Sequence, residues 1–220
     1  MIIVKLYYFI KNKIEWYLMP ITRDKLINEL ISKFGFSSYL EIGVDNGSNF
    51  KKINCLNKES VDPAEGEYQY AQPTYKFTSD YFFKKVINKS TKYDVIFIDG
   101  LHHEDQVDRD IQNSIKHLNV NGFIILHDCN PLKKIHQQIP RISKQWNGDV
   151  WKSIVKFRNS KHDFGCITIN SDQGLGVISK RLIKKSISLK DELTYENLEK
   201  NRDLWLGLIS YYEFKKLVYK

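Results

Sequence analysis

Tyr93 to Asp99 reads Tyr-Asp-Val-Ile-Phe-Ile-Asp, a near-continuous apolar run bounded by acids. A strand without a polar face must be covered on both sides, and that is the position of a central strand in a parallel sheet between two helical layers. Gly122 to Leu126 repeats the pattern, with His127-Asp128 at its end. The intervening stretch carries Val107, Ile111, Ile115 and Leu118 at intervals of three or four, which predicts a helix. Ser38 to Gly43 reads as a first strand, followed by a Gly-containing turn and a helix at about Ser48 to Leu56. A second strand closes on Ser60-Val61-Asp62, with Pro63 stopping it. Strand and helix alternate, so the expected fold class is α/β: a Rossmann-like, mostly parallel sheet with helices on both faces.

The ends of the chain extend this core. Thr22 to Phe34 has helical spacing at Leu26, Ile27, Leu30, Ile31 and Phe34, with Gly35 placed to end it. Gly165 to Ile169 and Gly174 to Ile178, separated by turn residues, predict an antiparallel terminal hairpin. The tail from Asp191, with Leu198, Trp205, Leu208, Ile209 and Tyr212, reads as amphipathic helix broken at Gly207. No repeat or linker divides the 220 residues. The expectation is one domain: a helical segment over 1–36, a cofactor-binding core over 37–180 and a helical extension over 181–220.

Composition removes other classes. With 42% hydrophobic residues, 11 Gly and 5 Pro the chain is neither disordered nor collagen-like. Cys55, Cys129 and Cys166 are too few and too widely spaced for a disulfide framework, so a reducing, cytoplasmic compartment is the default. No run reaches the roughly 20 apolar residues of a membrane-spanning helix. Met1 to Ile10 is apolar but interrupted by Lys5, and it suits docking on the domain or a homo-oligomer contact better than peripheral membrane contact. Residues 1–132 hold 16 Lys plus Arg against 17 Asp plus Glu, whereas 133–220 hold 18 against 9. The basic excess of the second part favours acidic partners, although lysines scattered along amphipathic faces are also what a solvated surface looks like.

In an open parallel sheet, ligands bind beyond the carboxyl ends of the strands. The first such end is Glu41-Ile-Gly43-Val-Asp45-Asn-Gly47-Ser. A dinucleotide loop needs bare backbone against a pyrophosphate, and the Asp45 carboxylate there is repulsive to phosphate. The loop suits a ligand with positive charge and no phosphate, such as S-adenosylmethionine. Asp62, at the end of the second strand, is placed to accept hydrogen bonds from both ribose hydroxyls. Ser79 and Asp80, after a presumed third strand, face an adenine edge or cap a helix. The densest chemistry is Asp99-Gly-Leu-His102-His103-Glu104. His102 precedes the helix and can point back over the sheet edge as general base. Asp99 and Asp128 become neighbours if their strands pair, and two converging carboxylates ask for a cation or a proton between them, with His127 or Asn130 completing a metal shell.

These residues resemble the class I S-adenosylmethionine-dependent methyltransferases, and within them the macrocin and mycinamicin type sugar O-methyltransferases and their relatives attributed to surface-glycan synthesis. The resemblance runs from about Tyr39 to Ile178. It implies a seven-stranded sheet with cofactor held by Glu41, Gly43, Gly47 and Asp62; Asp45, Ser79, Asp80 and Asp99 are counted with the cofactor-facing set. It also implies metal ligation by Asp99 and Asp128 and a general base at His102. His127 stands where those enzymes carry a further acid, which puts a requirement for Mg²⁺ or Mn²⁺ in question. The reaction expected is methyl transfer to a hydroxyl of a small molecule, a sugar or a glycan. The N-terminal segment, the helical tail and the Trp146 to Trp151 region are expected to roof the acceptor site. RNA methylation and a non-catalytic partner-binding role are the alternatives.

Overall fold

The computed structural model describes residues 20–65 and 72–219. Its centre is a seven-stranded sheet in the order β2-β1-β3-β4-β6-β5-β7. The strands are β1 (Ser38–Ile42), β2 (Asn57–Val61), β3 (Tyr93–Ile98), β4 (Leu118–Leu126), β5 (Gly165–Ile169), β6 (Leu175–Ser179) and β7 (Leu208–Ile209). Only β6 runs against its neighbours, pairing antiparallel with β4 and β5.

The two apolar runs behave as their composition requires. Ile96, Ile98, Ile124 and Leu126 face one core; Val95, Phe97, Phe123 and Ile125 face the other. The first core is covered by α2 (Glu104–Lys116), α3 (Val150–Asn159) and α4 (Tyr195–Leu206) through Val107, Ile111, Trp151, Ile154, Leu198 and Trp205. The second is covered by α1 (Arg23–Phe34) and α5 (Tyr211–Val218) through Leu26, Ile27, Leu30 and Phe214. Each side chain of this kind withdrawn from water contributes roughly 1.5–3 kcal/mol, so the sandwich rather than local propensity holds the strands in place. α1 ends as expected at Gly35, which takes the left-handed conformation (φ 63°) and donates its N–H to Ile31 O.

Three local expectations differ from the structure. The helix foreseen at Ser48 to Leu56 is only a 3₁₀ turn, Phe50–Lys52. Asn28 of α1 holds that turn, donating to Lys52 O and accepting from Asn54 N, and the chain leaves extended at buried Ile53. The presumed third strand is a single bridge, Val61 to Tyr75, followed by one α-helical turn, Ser79–Tyr81, and a π-helical stretch, Phe82–Val86. The sheet still has seven strands because Leu208–Ile209, expected to be helical, pairs in parallel with β5. Gly207 does break the tail: it adopts φ 59° and lets the chain turn from α4 into β7. Residues 1–19, including the apolar Met1 to Ile10, lie outside the described residues.

Candidate active site

The chain moves from β1 outward to β2, then returns past β1 to β3, so the sheet reverses direction of growth between β1 and β3. At this reversal the carboxyl ends of β1 to β4 open into a cavity of about 730 Å³. Its floor is Ile42, Gly43, Val61, Asp62, Asp99, Gly100, His127 and Asp128. Gly43, at φ 84°, is required there: a Cβ would lie 2.3 Å from Asp99 O, so any side chain would push β1 and β3 apart.

β3 and β4 do pair, Ile98 against Leu126, and their polar ends converge. Asp99 Oδ1 lies 3.4 Å from His102 Nε2 and 3.3 Å from His127 Nδ1. Asp128 Oδ2 lies 2.7 Å from His127 Nδ1 and 3.6 Å from His102 Nδ1. Asp128 is held at φ 59°, and Asn147 donates to its Oδ1 at 2.7 Å. His102 is fixed from outside by Trp146, whose ring lies parallel to the imidazole, and from its backbone by Asp149 N, which donates to His102 O.

A residue with no sequence signal completes the cluster. Arg23, at the start of α1, donates from Nη1 to Asp99 Oδ2 at 2.8 Å and from Nε to Asp172 Oδ2 at 3.0 Å. Its own N–H reaches the same Asp172 oxygen at 2.8 Å. Asp172, in the β5–β6 turn at φ 46°, also faces His127 Nε2 at 3.4 Å. The guanidinium planar fork suits this double engagement. Only the fold joins these residues, which are 149 positions apart in sequence.

The charges sort themselves accordingly. Burial disfavours ionised Asp99, but the facing imidazoles outweigh it and hold the carboxyl well below the usual range. Burial likewise opposes protonated His127, yet the charge of Asp99, followed by Asp128 and Asp172, pushes it up to about 11. His102 is raised for the same reasons, burial opposing and Asp99 prevailing. Each carboxylate here already has a cationic partner from within the chain.

His102, Asp99, His127, Asp128, Gly43, Asp45, Asp62 and Ser79 all line the cavity. Asp62 braces the glycine loop: its Oδ2 accepts from Val44 N at 2.7 Å, and its Oδ1 from Ala64 N at 2.7 Å. Glu41, Gly47 and Asp80 stand elsewhere. Strand alternation puts Glu41 on the inner face with Tyr39, where it accepts from the Tyr39 hydroxyl and from Asn49 Nδ2. Burial there pushes its carboxyl up to about 7, against the pull of those two donors. Asp80 pairs with Arg109 on the surface, and the cap of its turn is Thr78. Trp146 lines the cavity, but Trp151 is wholly buried against Trp205, and no residue of α4 or α5 lines it. Besides Arg23, sequence reasoning missed Gln106 and Asp110, polar residues on the inner turns of α2 that reach the cavity. Gln106 Nε2 donates to Ser79 Oγ and Asp110 Oδ1, both at 3.1 Å. Burial raises the Asp110 carboxyl to about 6.

Asp99, His102 and Asp128 each bring one ligand atom to within 4.8 Å of the others. His102 Nδ1 is buried without a hydrogen-bond partner. Two carboxylates and an imidazole are a suitable donor set for a divalent cation. His127 is outside that set, its Nδ1 directed to Asp128.

A methyltransferase-domain family model, Methyltransf_24, matches residues 40–129. No sequence relative of curated function matches the chain. Similar solved structures include the O-methyltransferase from Bacillus cereus in complex with SAH, at 12% identity and TM-score 0.50 over 79% of this chain and 87% of that one. Another is cofactor-bound Rv0187 from MTB, at 12% identity and TM-score 0.50 over 74% and 83%. The MycE methyltransferase of the mycinamycin pathway, in complex with Mg, SAH and mycinamycin VI, aligns at 12% identity and TM-score 0.44 over 69% and 46%, which is too distant to inform the site. The methyltransferase-domain match covers β1 to β4, fewer than half of the 220 residues, and the solved structures at TM-score 0.50 share the fold of the sheet.

Proposed function

We propose that the described chain is one methyltransferase domain and that it transfers a methyl group from S-adenosylmethionine to a hydroxyl of a sugar or glycan. The observation that carries this reading is the imidazole of His102, held between Asp99 and Asp128 at the cavity floor with Trp146 flat against it. S-adenosylmethionine, when bound, supplies an electrophilic methyl on a sulfonium. The cavity suits its nucleoside: Gly43 keeps the floor bare, Asp62 faces the ribose position, and Ser79, Gln106 and Asp110 provide polar groups toward the base. Asp45 presents negative charge to the cationic part of the ligand.

In its neutral form, His102 then accepts the proton of the attacking hydroxyl as the oxygen–carbon bond forms and the carbon–sulfur bond breaks. Asp99 and Asp128 stabilise the resulting imidazolium, and Arg23 and His127 hold Asp99 ionised. Trp146 offers an apolar ring face of the kind on which a sugar packs. Most of the acceleration comes from alignment, since reacting atoms must be held at roughly 3 to 3.5 Å.

One observation supports a second reading. The unpartnered Nδ1 of His102, with Asp99 and Asp128, would hold a divalent cation, and His102 would then be a ligand rather than the base. The cation would supply polarisation of the acceptor hydroxyl. Calorimetric titration with S-adenosylhomocysteine, followed by turnover on a panel of sugars with EDTA or added Mg²⁺, tests both. Micromolar binding with EDTA-insensitive turnover supports the His102 base; turnover abolished by EDTA and restored by Mg²⁺ supports the cation. Absence of cofactor binding defeats the enzymatic reading.

A further inference from the structure

Between β4 and α3 the chain forms a lobe beside the cavity mouth. It is closed on itself: Asn147 N donates to His136 O at 2.8 Å, Trp146 Nε1 to Gln138 O at 2.7 Å, and Ser143 Oγ to Ile135 O at 3.4 Å. Buried His136 and Asn147 root it in the domain. Its outer surface is unusual. Leu132 is 62% exposed, Ile142 59%, Ile135 42% and Ile139 41%, and across the mouth Leu101 is 54% exposed.

The same stretch, 131–146, contains Lys133, Lys134, Arg141 and Lys144 and no acidic residue. Lys134 is paired with Glu196, but among the described residues Lys133, Arg141 and Lys144 face no carboxylate. Soluble surfaces expose large aliphatic side chains singly, and contiguous groups of them mark interaction sites. Aliphatic side chains interleaved with uncompensated cations match the boundary between anionic headgroups and acyl chains, where the first are buried and the second paired. An ordinary solvated face would carry the cations without the aliphatics.

We propose that this lobe seats the protein on an anionic lipid surface, with the cavity mouth at headgroup level. Arg141, Lys144 and Trp146 belong both to the lobe and to the cavity wall, so an acceptor enters past the seated surface. Resting on the methyl-transfer reading above, the acceptor is then a hydroxylated headgroup or lipid-linked glycan presented by that surface.

The test is co-sedimentation of the full chain with vesicles of phosphatidylcholine alone and of phosphatidylcholine with phosphatidylglycerol. The anionic vesicles should bind it and the neutral ones should not. Leu132→Asn with Ile142→Asn, and separately Lys133→Gln with Lys144→Gln, should each weaken binding at least tenfold with unchanged thermal unfolding of the free protein. The apolar Met1 to Ile10 could hold vesicles by itself, so the lobe variants decide the matter. Binding undiminished in both, no binding to either vesicle, or equal binding to both overturns the proposal. S-adenosylhomocysteine titration of the same sample keeps the two readings separate: vesicle binding that the lobe variants lose, without cofactor binding, upholds the lobe and defeats the methyltransferase reading, and the reverse result does the opposite.

Discussion

Trp146 lies flat against His102, with ring centroids 4.9 Å apart and planes 14° from parallel. Trp146 is anchored through its own Nε1 to Gln138 O, so the stack sets the imidazole from the cavity wall while Asp99 and Asp128 set it from the floor. A general base that is free to rotate is rarely aligned with its proton. Trp146→Ala is therefore expected to lower kcat by roughly 10- to 100-fold while cofactor affinity stays within about twofold, and Trp146→Phe should recover part of the loss. Steady-state kinetics with calorimetry of S-adenosylhomocysteine checks both. A kcat unchanged in the alanine variant would show that the stack positions nothing.

His102→Ala removes the proposed proton acceptor and is expected to cut turnover by roughly 10² to 10⁴. Cofactor binding should persist, because the loop around Gly43 and Asp62 is braced independently of it. Single-turnover assays beside binding titrations separate the two quantities. Full rate in the variant would assign the base elsewhere.

Glu41 predicts a pH dependence of stability. Its carboxyl sits at about 7 in the folded chain against an ordinary 4.5, so between those values the folded state binds more protons than the unfolded one. Stability must then fall as pH rises from about 4.5 to 7, by at most about 3 kcal/mol from this group. Glu41→Gln keeps a hydrogen-bonding partner for Tyr39 and Asn49 without the charge. Urea denaturation at pH 5 and pH 8 should show the variant gaining on the native protein at pH 8 and hardly at pH 5. An equal difference at both pH values would show that Glu41 does not titrate in this range.

Gly148 is where the lobe meets His102. It is held at φ 59°, and a Cβ there would fall 1.9 Å from His102 O. Gly148→Ala is expected to cost about 1–3 kcal/mol, as strain and a displaced His102 backbone, and to lower activity with it. Thermal unfolding and kcat measured on the same preparation check the coupling. A variant of native stability and rate would mean that the contact yields freely.

Arg23 balances Asp99 and Asp172 together. Arg23→Met leaves Asp172 with His127 alone and Asp99 with the two imidazoles, and it loosens α1 from the β5–β6 turn, for an expected loss of about 1–3 kcal/mol, discounted because the guanidinium is partly exposed. Asp172→Asn in the same background should cost less than the sum of the two single changes, since they remove one shared contact. Strict additivity in a double-mutant cycle would count against the network.

The sequence by itself determined the layered sheet and the line of polar residues along its edge. Runs such as Val95 to Ile98 and Phe123 to Leu126 have no polar face, so only strands covered on both sides accept them, and the residue after each run must emerge at a strand end. That logic placed Asp99, His102, His127 and Asp128 around one cavity. Only the tertiary structure decided which way the side chains turned and what met them. Glu41 went inward because the two-residue period of β1 put it with Tyr39, where Asn49 was waiting as a donor. Leu208–Ile209 became a strand because the edge of β5 was open and Gly207 ended the preceding helix, two conditions invisible within the tail's own periodicity. Arg23 carries no local signal at all: it reaches Asp99 and Asp172 because α1 packs beneath β1 and β3 and delivers its first residue to their carboxyl ends. Periodicity is a property of neighbouring residues, whereas the balance of charge around His102 is made by residues from four separate segments of the chain, and no window along the sequence contains it.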